Sequence, residues 1–254
     1  MQMSTNQSSS PEVVPPEISD LRLEEAVHST SPEVLAAAAS NTSLNEDLAL
    51  TLLKRSDLSG EVLERLSKNS AAMKSRKVKL ALVEHPKTPR HASLPMVRHL
   101  FTYDLMRIAL TPAVPADVKT AADGALCNRA ETIASGERLT LAHRASGRVA
   151  AELLSDSEPR VVHSALENSR LTEAHVVKAV MRSDATPVLV HAVCQHSKWS
   201  LRREIRVALL RNQHTPMARA IDFAHSLPAA VVKDILHGSH LPANIKEYLL
   251  KGLR

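Results

Sequence analysis

From residue 21 onward, apolar side chains recur at intervals of three and four: Leu21, Leu23, Ala26 and Val27, then Val34, Leu35, Ala38 and Ala39. That is the helical period rather than the alternation of a strand, and it predicts a succession of short amphipathic helices. One stretch of the pattern returns. Residues 78–89 read VKLALVEHPKTP, and 127 positions later residues 205–216 read IRVALLRNQHTP. The correspondence runs without a gap over 78–126 and 205–253, pairing Ala81 with Ala208, Leu82 with Leu209, Thr88 with Thr215, Pro115 with Pro242 and Lys119 with Lys246. An internal duplication of helical elements is the first architectural fact.

Within the duplicated unit, Ala81-Leu82 and Ala208-Leu209 place a small residue beside a large one, which suits close helix packing. His85 and Asn212 fall where a helix ends, and Asn tolerates the left-handed conformation common there. Ser31-Pro32, Thr88-Pro89, Thr186-Pro187 and Thr215-Pro216 each predict a helix start, with a hydroxyl as N-cap and proline at the first helical position. Thr172 and Ser59 are looser versions of the same signal. The predicted unit is helix, tight turn, helix. Weaker copies follow the same offsets, with anchors Ala81, Ala109, Glu137, Ala165 and Ala192 spaced by 28, 28, 28 and 27 residues. Units of this size cannot bury an apolar face alone, so they stack and share a continuous core.

The pattern in 78–89, nearly repeated in 205–216, resembles the leucine-rich-repeat-variant and HEAT-like α-solenoid proteins of bacteria. The resemblance covers most of residues 30–254 and is specific at those two stretches. It implies an all-α fold, an α-solenoid of stacked helical hairpins over 21–254, and a curved scaffold rather than a reaction. The iron-sulphur cluster known in one leucine-rich-repeat-variant protein would need a cysteine cluster that this chain lacks, so no cofactor is expected.

Composition agrees with helices packed through small and aliphatic side chains: 44% of residues are hydrophobic and only 2% aromatic. Residues 1–20 are rich in Ser, Gln and Pro without apolar periodicity, which predicts a disordered tail. Cys127 and Cys194 are far apart in sequence and outside any CxxC spacing, so both read as small buried hydrophobes and the expected compartment is the reducing cytoplasm. No uncharged apolar run approaches a membrane span. The net charge of +5 hides an asymmetry: residues 1–64 carry three basic and eleven acidic side chains, whereas 65–107 carry ten basic and two acidic, about −8 beside about +8.

Two basic clusters are the candidate binding residues. The first, over 68–79, comprises Lys68, Lys74, Arg76, Lys77 and Lys79; the second, over 198–211, comprises Lys198, Arg202, Arg203, Arg206 and Arg211, with Arg202 and Arg206 one helical turn apart. Such stripes neutralise phosphates, but single-strand binders add stacking aromatics that this chain hardly has. A solvated helix face, or pairing with the acidic N-terminal block, accounts for the charges equally well. Trp199 stands where Thr88 and Thr215 stand in the duplicated unit, with Ser200 as the expected cap. It reads as an interaction anchor or, more simply, as filler at the joint where anchor spacing drops to 16 residues between Ala192 and Ala208.

His191, Cys194 and His196 do not converge as metal ligands do. No nucleophile elbow, zinc-protease motif, dinucleotide fingerprint or P-loop occurs. A helical-repeat DNA glycosylase would need several aromatics cradling a lesion. The sequence therefore predicts a non-catalytic scaffold or adaptor that binds another protein on its concave or turn-lined face, with a nucleic-acid-binding solenoid as the alternative. A homodimer through the terminal stripe Ile245, Leu249, Leu250 and Leu253 is a further expectation, if that stripe does not pack on the preceding helix.

Overall fold

A computed structural model describes residues 20–252. The leader expected over 1–20, apart from Asp20, and Leu253 of the terminal stripe lie outside the described residues. Among the described residues, seventeen α-helices and two short 3₁₀ turns make up the regular structure, and there is no strand. By contact the chain divides into two compact units, Met1–Leu100 and Phe101–Arg254. That boundary falls inside the first copy of the duplicated segment.

The first unit holds α1 (Asp20–Val27), α2 (Pro32–Ser40), α3 (Glu46–Leu53), α4 (Gly60–Lys68), α5 (Arg76–Glu84) and α6 (Arg90–Val97). Helices of eight or nine residues are marginal in water by themselves, so packing must hold them. Here α1 packs on α3, α2 on α4 and α3 on α5, while α1 also packs on α2 and α5 on α6. Leu35, Ala38, Ala39, Leu52, Leu63, Leu66, Val78 and Leu82 are buried between them.

Every helix end leaves backbone carbonyls without intrahelical partners, and those turned inward need donors. In this unit the donors come from the turn two helices later. Arg55, just beyond α3, donates from Nη1 to Val27 O at 2.9 Å and Ser29 O at 2.7 Å, at the end of α1. Asp57 takes its Nε and Nη2 at 3.0 and 2.6 Å. Asn69, beyond α4, donates from Nδ2 to Ala39 O and Asn41 O at 3.0 and 2.8 Å, while its Oδ1 accepts from Ala71 N and Ala72 N. His85, beyond α5, accepts from Lys87 N at Nδ1, which leaves the proton on Nε2 to be donated to Arg55 O at 3.1 Å.

The second unit comprises α7 (Thr102–Leu110), α8 (Ala116–Arg129), α9 (Ser135–Arg144), α10 (Gly147–Glu152), α11 (Pro159–Leu166), α12 (Glu173–Val180), α13 (Pro187–Gln195), α14 (Arg203–Arg211), α15 (Met217–His225), α16 (Ala229–His237) and α17 (Ala243–Gly252). The same device returns. Asn168 donates to Ala142 O and Ala145 O at the end of α9, Asn212 to Val180 O at the end of α12, and Ser239 Oγ to Leu210 O at the end of α14. Each of the three also accepts a backbone N–H two residues on, from Arg170, His214 and Leu241 respectively. The spacing is close enough that Gly147, opening α10, sits against the Arg170 carbonyl; a Cβ there would lie inside contact distance of that backbone oxygen.

The duplicated segments share helix starts. Helices α5, α6, α7 and α8 begin at residues 76, 90, 102 and 116, and α14, α15, α16 and α17 begin at 203, 217, 229 and 243, each 127 later. Three details of the expected unit are corrected. Thr88 and Thr215 are not N-caps: Pro89 and Pro216 hold that position, and both hydroxyls, buried, donate at 2.6 Å to carbonyls of the helix before, Leu82 O and Leu209 O. Those inward carbonyls have the stronger demand for a donor. Ser31 is an N-cap without a side-chain bond, whereas Ser59, Thr172 and Thr186 accept from Val62 N, His175 N and Leu189 N as expected.

His85 and Asn212 end their helices in extended rather than left-handed backbone, with φ of −70° and −92°. Pro86 forces the first of these, because proline excludes the α region from the residue before it. In the second, the Asn212 side chain itself closes the turn. The terminal stripe is also divided: Ile245 and Leu249 are buried, Leu250 is exposed, and α17 packs on α15, two helices back, rather than chiefly on its predecessor.

Two outcomes test the bridging turns. Replacing His85 by Ala strands Arg55 O and is expected to lower the unfolding free energy by about 1–3 kcal/mol; His85→Asn, the residue used at 69, 168 and 212, should restore most of it in urea titrations. The hydrogen bonds from Arg55 hold the Asp57 carboxyl down at about 2. Its contribution is therefore complete above the ordinary carboxylate range and lost as pH falls through about 2. Denaturation midpoints measured from about pH 5 downward should fall less steeply in Asp57→Asn than in the parent.

Candidate functional site

The second basic cluster surrounds the turn between α13 and α14, and the structure separates its members. Trp199 is buried, and its indole N–H donates to Leu166 O at 2.8 Å, at the end of α11. It thus performs the bridging function that Asn and His perform elsewhere, with a larger apolar body. His196, beside it, accepts from Lys198 N at Nδ1; its Nε2 lies 3.1 Å from the Glu167 carboxylate but out of line for a hydrogen bond. Lys198 is exposed and rests its ammonium 3.9 Å from the centre of the Trp199 ring.

Ser200 is buried within the turn, and Arg202 rather than Ser200 occupies the N-cap of α14. Arg202 and Arg206 therefore do not form a helical stripe. Arg206 is half-buried: its Nε donates to Ser200 O at 2.8 Å and its guanidinium lies 6.0 Å from the Phe223 ring. Arg219, a cation not singled out in the sequence, lies 5.0 Å from the same ring, pairs with Asp222 and donates to Cys194 O. Arg203 approaches Glu204 at 3.6 Å. What remains on the surface of this turn is Lys198, Arg202, Arg203 and Leu201, the last 68% exposed and the most exposed large apolar side chain among the described residues. Leu201 was not among the candidate residues: within a helical period it reads as core, and only the irregular turn turns it outward. Arg211 lies at the far end of α14, away from this turn.

The first cluster is partly neutralised within its own unit. Lys77 pairs at 2.8 Å with Glu46 of the acidic block, whose carboxylate also accepts from Ser75, and these hydrogen bonds hold the Glu46 carboxyl below its ordinary range. Lys68 pairs with Glu64 one helical turn before it. Lys74 and Arg76 are exposed and Lys79 is half-buried.

The chain has no match among protein-family models, curated proteins or solved structures. Its chemistry has to be read from the side chains. No group of three or more His, Cys, Asp or Glu is placed to hold a metal among the described residues, and no helix there is long and apolar enough to cross a membrane. Both cysteines are free; burial raises the Cys127 thiol above its ordinary range and pushes Cys194 up to about 11.

The sequence missed Asn69, Asn168 and Arg55 as structural bridges, although their spacing gave a signal: Asn41 to Asn69 and Asn168 to His196 are each 28 residues, one repeat. Trp199→Phe, which keeps the ring and removes the donor to Leu166 O, is expected to cost about 1–3 kcal/mol of stability in chemical denaturation. A loss near zero would mean that the indole hydrogen bond contributes nothing.

Proposed function

We propose that this chain is a non-catalytic scaffold, an α-solenoid of stacked helical hairpins in the manner of the leucine-rich-repeat-variant and HEAT-like proteins, that holds a protein partner on its turn-lined surface. The architecture is supported by the recurring bond from a turn to the end of the helix two places earlier, made after α3, α4, α5, α11, α13, α14 and α16, which ties those helices together as in a stacked array. The observation that carries the function is Leu201, held out in solvent among Lys198, Arg202 and Arg203. An apolar side chain beside exposed cations matches a protein surface with a small apolar pocket and an acidic rim. The cytoplasmic setting belongs to the same proposal and rests on two free, unpaired thiols.

A phosphate-tracking stripe receives less support. It needs cations free to meet a polyanion, and Lys77, Arg203 and Arg206 already have partners within the chain, while Trp199 is unavailable for stacking on bases.

A photo-crosslinking amino acid placed at position 201 of the full chain tests the reading. One defined protein should be captured in cells, and Arg202→Glu should reduce the yield by about tenfold or more. Indiscriminate capture, or a yield insensitive to the charge reversal, overturns it. Retention of the chain on single-stranded DNA at about 0.15 M salt would instead favour the nucleic-acid alternative.

A further inference from the structure

The turns that follow α12, α14 and α16 enclose a cleft of about 290 Å³, within the second unit and apart from the Leu201 turn. Its walls differ in kind. Met181, 47% exposed, supplies the apolar side, with buried Val180 and Ala185 behind it, while Arg182, Arg211, Gln213 and His240 supply polar groups. No Asp or Glu lines it. Arg182 is held by both oxygens of Asp184 at 2.8 Å. Arg211 differs: its guanidinium has neither a hydrogen-bond nor an ion-pair partner among the described residues, although its own carbonyl accepts from His240 N and is thereby fixed in the wall.

We infer that this cleft receives an acidic side chain and an adjoining aliphatic one from an extended peptide segment of the protein partner. The inference rests on the scaffold reading above and names the chemistry of what the scaffold holds. Three observations select that occupant. The volume is at the lower edge of ligand sites, roughly 300–1,000 Å³, enough for a few side chains and small for a nucleotide. The apolar wall beside the free guanidinium fits a carboxylate next to a Leu or Val.

The third observation is electrostatic. The cleft is built on helix C-termini, ending at Val180, Arg211 and His237, whose carbonyl ends carry partial negative charge. One guanidinium offsets that field for a single carboxylate, with which it can form two parallel hydrogen bonds. A doubly charged phosphate, surrounded by the negative ends of helices and one free arginine, is disfavoured.

A random peptide library displayed against the immobilised full chain tests this directly. The enriched peptides should carry Asp or Glu beside an aliphatic residue. Measured by fluorescence anisotropy, a selected peptide should bind Arg211→Gln about tenfold or more weakly, bind Arg202→Gln as it binds the parent, and lose comparable affinity when its acid is replaced by the amide. Circular dichroism of Arg211→Gln should match the parent, since the guanidinium has no internal partner to lose.

No enrichment, enrichment without acidic residues, or equal binding by Arg211→Gln overturns the inference. Displacement of the peptide by millimolar inorganic phosphate at constant ionic strength overturns it in favour of a phosphate site. Weakening by Arg202→Gln but not by Arg211→Gln would move the contact to the Leu201 turn, leaving the scaffold reading intact while this one fails. Binding lost in Arg211→Gln with no capture at position 201 would do the reverse.

Discussion

The structure depends on finding donors for the carbonyls that short helices leave at their C-termini. An eight- or nine-residue helix has about half of its carbonyls in its last turn, so a fold made of many such helices carries an unusual load of unsatisfied acceptors near its core. The chain meets that load with side chains from the turn two helices on: Arg55, Asn69 and His85 in the first unit, and Asn168, Trp199, Asn212 and Ser239 in the second. Most of these residues also accept an N–H within their own turn. One side chain therefore closes a turn and ties it to the previous hairpin, so local and tertiary order are not separable.

This requirement explains the tolerance at those positions. Asn, His and Ser each combine a donor with an acceptor on a short side chain, and so they interchange from turn to turn. Tryptophan has only a donor, and at position 199 the acceptor function passes to the neighbouring His196. Leu201 and Arg202 lie in the connection before α14, outside the helix, as Lys74 and Ser75 do before α5.

Charge is used in three ways. Arg55 and Arg206 spend their guanidinium groups on backbone carbonyls, and Arg206 and Arg219 flank Phe223; these are positioning residues, and a simple count of cations overstates the free positive surface. Lys77 with Glu46 shows the acidic block and the basic run neutralising one another within the first unit. Lys198, Arg202 and Arg211 are cations open to a partner.

Helical class, the positions of most helices and the duplication were legible in sequence, because the three-four apolar period and the 127-residue recurrence are properties of the chain itself. Four helix starts reproduce that recurrence to the residue. The roles of particular polar side chains were not legible. Thr88 and Thr215 carry an N-cap signature, yet their hydroxyls turn back to the preceding helix, because the acceptor that draws them is created only when that helix is in place. Trp199 and Arg206 likewise look like a cationic-aromatic patch until burial shows which atoms have already found partners. The sequence by itself determined which segments coil and where they stop. Only the tertiary structure decided which donors those stops would use, since a carbonyl two helices away enters reach only after the chain has folded back upon itself.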